Sequence, residues 1–148
     1  MPRSDKVVQA RVGAKCELVC IDPARIHEFW PHIASLIRAA MVRGRISTFE
    51  QVAEAVLAAE ALAWIVWDGT AIKAAVVTSL GTVNGDRICT IVACGGRDRH
   101  EWLGLLGELE VYARTEGCKA IRIFGRRGWE RLLPDYRPAR ILLEKELQ

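Results

Sequence analysis

The sequence predicts an α/β protein, a mixed sheet with helices on both faces. Three observations carry that prediction. Short β-like runs alternate along the chain with longer segments whose apolar residues recur at helical spacing. Asn84-Gly85 lies between two of the β-like runs, and an Asn-Gly pair in that setting is a strong hairpin signal. A chain of 148 residues is one domain by length and long enough to bury a core without staples.

The elements follow in order. Residues 1–15 are polar and basic, with Arg3, Lys6, Arg11 and Lys15 against Asp5, and read as an N-terminal arm, either a frayed end or a docking segment. Residues 16–148 read as a single domain. CELVCID (16–22) alternates well enough for a first strand. Asp22-Pro23 opens a helix with a capping side chain and a first-turn proline. Its buried stripe is Ile26, Phe29, Trp30, Ile33, Ile37 and Ala40; Pro31 should kink or divide it, and Gly44 should end it. Ser47 and Glu50 have capping-box spacing for a second helix running to about Glu60. ALAWIVWDG (61–69), IKAAVVTSL (72–80) and DRICTIVAC (86–94) are three strands. Trp102, Leu105, Leu106, Leu109 and Ala113 form the stripe of a third helix, which Gly117 caps. KAIRIF (119–124) is a strand, RGWERLL a short helix stopped by Pro134, and ARILLEKEL (139–147) a final strand.

Composition excludes several classes. The formal charge of +3 is too small to argue for a nucleic-acid partner, so such a partner is not favoured. The basic C-terminal third (Arg122, Arg126, Arg127, Arg131, Arg137, Arg140) is offset by Glu130, Asp135, Glu144 and Glu146 and reads as a solvated face, with contact to an acidic partner as the sharper reading. Cys16 and Cys20 find no second pair to complete a zinc site, so no metal is expected. With Cys89, Cys94 and Cys118 they read as buried reduced thiols, which predicts an intracellular protein. The N-terminus has no apolar signal core, and no apolar run approaches the ~20 residues of a membrane span.

The element order resembles the GNAT-type acyl-CoA N-acyltransferases, most closely from Ile88 to Leu147. In that family a strand leads into an R/Q-x-x-G-x-G loop and then a helix with a leucine pair, a glutamate, an alanine and a closing glycine. Leu105-Leu106, Leu109, Glu110, Ala113 and Gly117 match those positions without a gap, and DYRPARILLEKEL resembles the family's closing strand. The resemblance implies a mostly antiparallel sheet.

The same register exposes departures. Gly95-Gly96 looks at first like a phosphate loop, but the pair lies before the slot. Inside the slot Arg97 fits, while His100 and Trp102 stand where the family has glycines that let backbone amides approach a pyrophosphate. The Trp102 indole either occupies that approach or turns inward as a core anchor. Arg131 stands where many members have a tyrosine acid, which leaves Tyr136 as a weak catalytic candidate, better read as a packed aromatic. The strands before the loop offer Thr78, Ser79, Cys89 and Thr90 but no carboxylate base.

CTIVACGG, the segment GRRGWERLLPDYRPARILLEKEL and the short length resemble acetyltransferase-like proteins of bacteriophages and prophages. The reading is therefore a GNAT-fold protein with a degenerate site and no cofactor, in the cytoplasm of a bacterial host or in the virion. Its partners would be other phage structural proteins or further copies of itself. The alternative is a divergent acetyl-CoA-dependent N-acetyltransferase. There, amides of Val92, Ala93 and Cys94 would hold the pantetheine arm, and Arg97 and Arg99 the phosphates.

Overall fold

Four consecutive buried residues, Ala63, Trp64, Ile65 and Val66, place strand β3 (Leu62–Trp67) inside the sheet with both faces covered. A strand packed on both faces loses the alternation of a half-exposed one. The structure, a computed structural model, describes residues 6–8, 16–41, 47–124, 128–141 and 143–147.

Around β3 the sheet has six strands in sequence order: β1 (Lys6–Val8), β2 (Glu17–Cys20), β3, β4 (Ile72–Val83), β5 (Asp86–Gly96) and β6 (Ala120–Ile123). Neighbours are antiparallel except β5 and β6, which run parallel. The mixed, mostly antiparallel sheet agrees with the expectation. β1 falls within the expected N-terminal arm, where three residues instead pair with β2, Lys6 opposite Val19; the rest of 1–15 lies outside the described residues.

Helices cover the two faces. Helix α1 (Ile26–Met41) and helix α2 (Phe49–Leu57) pack Ile26, Ile33, Ile37, Val52 and Val56 against Ala63, Ile65, Ala75 and Val77. Helix α3 (Leu106–Thr115) packs Leu106, Leu109, Tyr112 and Ala113 against Leu18, Trp64, Val76 and Ile91 on the other face. Trp64 donates from its indole to the buried Thr78 hydroxyl at 3.0 Å and meets Tyr112 edge-on, ring centroids 5.0 Å apart. A buried indole needs such a partner.

Local chemistry sets the helix ends. The Asp22 side chain accepts from Ala24 N at 2.9 Å over a 3₁₀ turn, Pro23–Arg25, that feeds α1. α1 runs unbroken through Pro31, so the expected division does not occur. Pro31 is on the exposed side, where its missing N–H bond lies nearest solvent, and the buried stripe continues opposite. Gly44 lies outside the described residues.

The capping box of α2 is one residue later than the spacing suggested. Thr48 Oγ1 accepts from Gln51 N at 3.1 Å, and Gln51 Oε1 accepts from Thr48 N at 2.9 Å. That register turns Val52 and Val56 into the core. α2 stops three residues before Glu60 because Ala59 turns left-handed, φ 64°. Ala59 N then donates to Val56 O and Glu60 N to Ala55 O. α3 ends in the same pair of bonds, Gly117 N to Arg114 O and Cys118 N to Ala113 O, with Gly117 at φ 80°.

β4 and β5 form a long hairpin through Asn84 (φ 51°) and Gly85 (φ 84°), both left-handed as a two-residue turn requires. β6 is followed by the short helix α4 (Gly128–Leu132). The expected final strand, 139–147, does not form. Its described residues belong to no strand, and Ile141, Leu143 and Leu147 stand 85%, 88% and 86% exposed. An alternating pattern becomes a strand only where it meets an edge to pair with. The five cysteines are free, and no cluster of potential metal ligands occurs among the described residues.

Ala59 occupies a backbone conformation that disfavours a Cβ atom and suits glycine. Ala59→Gly is expected to raise stability by about 0.5–1 kcal/mol, the relief of that strain less the added freedom of the unfolded chain. Urea unfolding of the two proteins reads the difference.

Candidate cofactor site

The site begins where β5 loses one neighbour and keeps the other. Its parallel pairing with β6 ends at Ile91 opposite Ile123, whereas its pairing with β4 continues to Gly96. Between the pairs Val77–Ala93 and Thr78–Ile91 the register shifts, leaving Val92 as the extra residue of a β-bulge. Val92 and Ala93 consequently both pack toward α1 and α2, while Cys94 returns to the α3 side. The backbone expected to hold a pantetheine arm is thus at a bulge, beyond the last residue that pairs with β6. Cys94 itself is no nucleophile at neutral pH, since burial pushes its thiol up to about 12.

Gly95 and Gly96 have a structural explanation. A Cβ on Gly95 would come within 2.7 Å of the Ala40 Cβ on α1, and one on Gly96 would meet the Lys73 carbonyl. Both are glycines because a helix and a strand approach their backbone.

The loop that follows is closed upon itself. Arg97 N donates to Lys73 O at 3.0 Å, and Asp98 takes a left-handed conformation, φ 55°. Two 3₁₀ turns, Arg99–Glu101 and Leu103–Leu105, lead into α3. The amides of Glu101, Trp102 and Leu105 are bonded to the carbonyls of Asp98, Arg99 and Trp102 at 2.9, 3.1 and 2.8 Å. Trp102 is 1% exposed, points into the α3-side core, and donates from Nε1 to Arg97 O at 2.8 Å. Of the two roles open to it in the sequence, it takes core anchor. His100 is at the surface, its side chain 80% exposed.

Lys73 adds an electrostatic lock. From β4 its ammonium reaches Asp98 Oδ2 at 2.6 Å and Glu101 Oε1 at 3.3 Å. The Lys73 hydrogen bond holds the Asp98 carboxyl below its ordinary range, and Asp98 in turn raises the Lys73 ammonium. Sequence reasoning missed this triad. A lone lysine in an otherwise apolar strand was its only signal, and its partners lie 25 and more residues away.

Arg97 and Arg99 are exposed, and the Arg99 guanidinium lies 5.8 Å over the Trp129 ring of α4. Tyr136 is half-buried, and its hydroxyl donates to Glu110 Oε2 on α3 at 3.0 Å. Burial, reinforced by the Glu110 charge, raises that hydroxyl above its ordinary value, so it is a fixed donor and not a poised acid. Arg131 is exposed on α4.

The arrangement was compared with known proteins. No protein-family model matches the sequence, and no curated protein matches it. Solved structures do match. An aminoglycoside acetyltransferase from an uncultured soil metagenomic sample, in complex with sisomicin, aligns at TM-score 0.64 and 8% identity over 90% of this chain and 97% of its own. A putative acetyl transferase from Pyrococcus furiosus aligns at TM-score 0.64 and 20% identity, over 89% of this chain and 99% of its own. A GNAT family acetyltransferase from Staphylococcus aureus aligns at TM-score 0.60 and 12% identity, over 90% and 99%. The fold is that of the GNAT acetyltransferases. At these identities the likeness is one of fold, and site chemistry must be argued from the residues.

Beyond Ile91 the backbone of β5, with its bulge at Val92, has no β6 partner, and the loop that follows does not fit the pyrophosphate of an acyl-CoA. A pyrophosphate there would meet the amides of Arg97, Glu101 and Trp102, already bonded to carbonyls, and the carboxylates of Asp98 and Glu101, both of which engage Lys73.

Trp102→Ala removes a fully buried indole and its hydrogen bond, and a loss of about 3–5 kcal/mol is expected in thermal or urea unfolding. Asp98 also gives the loop a pH signature. Its folded carboxyl titrates lower than its unfolded one, so the stability it adds is complete above the ordinary value of about 3.9 and is lost as pH falls through the lower folded value. NMR titration of the Asp98 carboxyl should give a midpoint below the ordinary range, returning toward it in Lys73→Met.

Proposed function

We propose that this chain is a GNAT-fold protein that has given up acyl transfer and acts through protein–protein contacts, as a component of a bacteriophage particle or of its assembly. The observation that carries the loss of chemistry is the Trp102 indole, buried in the core and bonded to Arg97 O, which seals the loop that would cradle a pyrophosphate. The remaining chemistry agrees. The one carboxylate of β4 and β5, Asp86, lies at the hairpin end of β5 and is paired with Lys119, Tyr136 is committed to Glu110, and the thiols of Cys20, Cys89 and Cys94 are pushed up to about 12 by burial. The phage setting rests on the resemblance of CTIVACGG and the C-terminal segment, and with it go the bacterial cytoplasm or the virion as location. Nucleic acid is not favoured as a partner at a formal charge of +3. No helix among the described residues is long and apolar enough to cross a membrane.

The bulge at Val92 favours a second reading, a divergent N-acetyltransferase using acetyl-CoA. In it the amides of Val92, Ala93 and Cys94 hold the pantetheine and Arg97 and Arg99 turn to the phosphates. This requires Arg99 to leave Trp129 and the loop to reopen.

Calorimetry with acetyl-CoA separates the two. A ligand at 100 times its Kd stabilises by about 2.7 kcal/mol, so even weak binding raises the melting temperature at millimolar cofactor. No heat and no shift is the expected result; a saturable shift would establish the second reading. The double variant Trp102→Gly, His100→Gly restores the glycine spacing. Provided the variant folds, binding that appears only there would identify the loop as a closed cradle.

A further inference from the structure

We propose that Arg122, Thr90 and Ser79 form a binding site for a carboxylate group, at the margin of the sheet face that α1 and α2 cover. The site is on the opposite face from the Trp102 indole. It goes beyond the reading above and does not depend on it, because a carboxylate can belong to a small acid or to a partner protein.

The three residues stand in one row across three strands. Ser79 on β4 pairs with Thr90 on β5, and Thr90 pairs with Arg122 on β6. Paired residues of neighbouring strands share a face, and alternation along each strand fixes which one. Ile121 and Ile123 pack on the α3 side, so Arg122 takes the other face. Ser79 is two residues beyond Val77, which packs with α1 and α2, and so lies one row further along that face. The face is open beyond it. A Cβ on Gly81, the next β4 residue of the same face, would meet nothing within 4 Å.

The polar groups of this row are unsatisfied within the chain. Thr78, next to Ser79 but on the α3 side, is already accounted for by the Trp64 indole that donates to it. The half-buried Ser79 and Thr90 hydroxyls have no hydrogen-bond partner among the described residues. Charge divides in the same way. On β4 and β5, Lys73 pairs with Asp98 and Glu101, and Arg87 with Glu116. Arg122 on β6 is half-buried, yet among the described residues no carboxylate pairs with it. A guanidinium drawn partly out of water loses hydration that only a counter-charge or a strong acceptor returns.

A carboxylate answers these groups together. The guanidinium fork presents two parallel N–H donors that match the two oxygens of a carboxylate. Thr90 stands one strand spacing away, about 4.8 Å, so its hydroxyl can donate to an oxygen held by the fork. Ser79 lies a second spacing on and suits a polar group attached to the acid, such as an amide. One cation beside two neutral donors balances a single negative charge, which selects a carboxylate over a phosphate dianion.

NMR titration of the full chain at constant ionic strength tests the site and the source of its ligand. The probes are N-acetylglycine, a free acid, and an acetylated, amidated Gly-Glu-Gly peptide, whose one carboxylate is on a side chain. A saturable shift of the Arg122 Nε–H resonance is expected, with that of Arg87, already held by Glu116, unmoved. A response to N-acetylglycine alone assigns the site to a small acid, and a response to the peptide assigns it to a partner's side chain. No saturable shift with either probe, or an equal one with the neutral N-acetylglycinamide, overturns the proposal. Variants are read at the Thr90 amide. Arg122→Gln should abolish binding, Arg122→Lys, which keeps the charge and loses the fork, should weaken it, and Thr90→Val should cost about five-fold, the worth of one hydrogen bond. Affinity unaltered in both Arg122 variants also overturns it.

Discussion

The indole of Trp102, held in the core with its N–H on the Arg97 carbonyl, is the contact on which the site depends. It sits at the junction of β5, the loop and α3, and fixes all three. With the ring inside, the chain must turn sharply at Asp98 and pass through two 3₁₀ turns before α3 can start at Leu106. Those turns consume amides that a more open loop would present to a ligand. Asp98 and Glu101 are then brought over Lys73. The inward indole and the Lys73 ion pairs thus hold the loop together from two sides.

A second constraint, close approach, acts just upstream. α1 lies so near β5 that Gly95 has no room for a side chain beside Ala40. With the bulge at Val92, β5 keeps its pairing with β4 to Gly96, five residues beyond its last partner on β6. Scaffold and chemistry are separable, since one depends on helix and strand packing and the other on a few side chains.

Most of the fold was legible because its signals are local. The stripe of α3, the Asn84-Gly85 turn, the Gly117 cap and the run of strands are all written in short windows. The misreadings came where two local signals competed or where the outcome was set at a distance. Ser47 and Thr48 both carry a cap-forming hydroxyl, and only the inward placement of Val52 and Val56 selects Thr48. Residues 139–147 have the alternation of a strand, but pairing is a property of two segments and one alone cannot declare it. Within the site, the position of Gly95-Gly96 ahead of the loop could be read from the resemblance, whereas the sequence left Trp102 two roles and only its burial decides between them. Lys73 with Asp98 and Glu101, and Tyr136 with Glu110, join residues far apart in sequence and leave no mark in either.

The β4–β5 hairpin bears on how the chain reaches this structure. Its two strands are joined by two residues, so the longest ladder of the molecule closes with almost no loop entropy to overcome. β3 adds to it from the preceding stretch of chain, and β2 from beyond α1 and α2. β6 is different: being parallel to β5, it is joined to it by a crossover through α3, so its pairing closes a longer loop than the hairpin does.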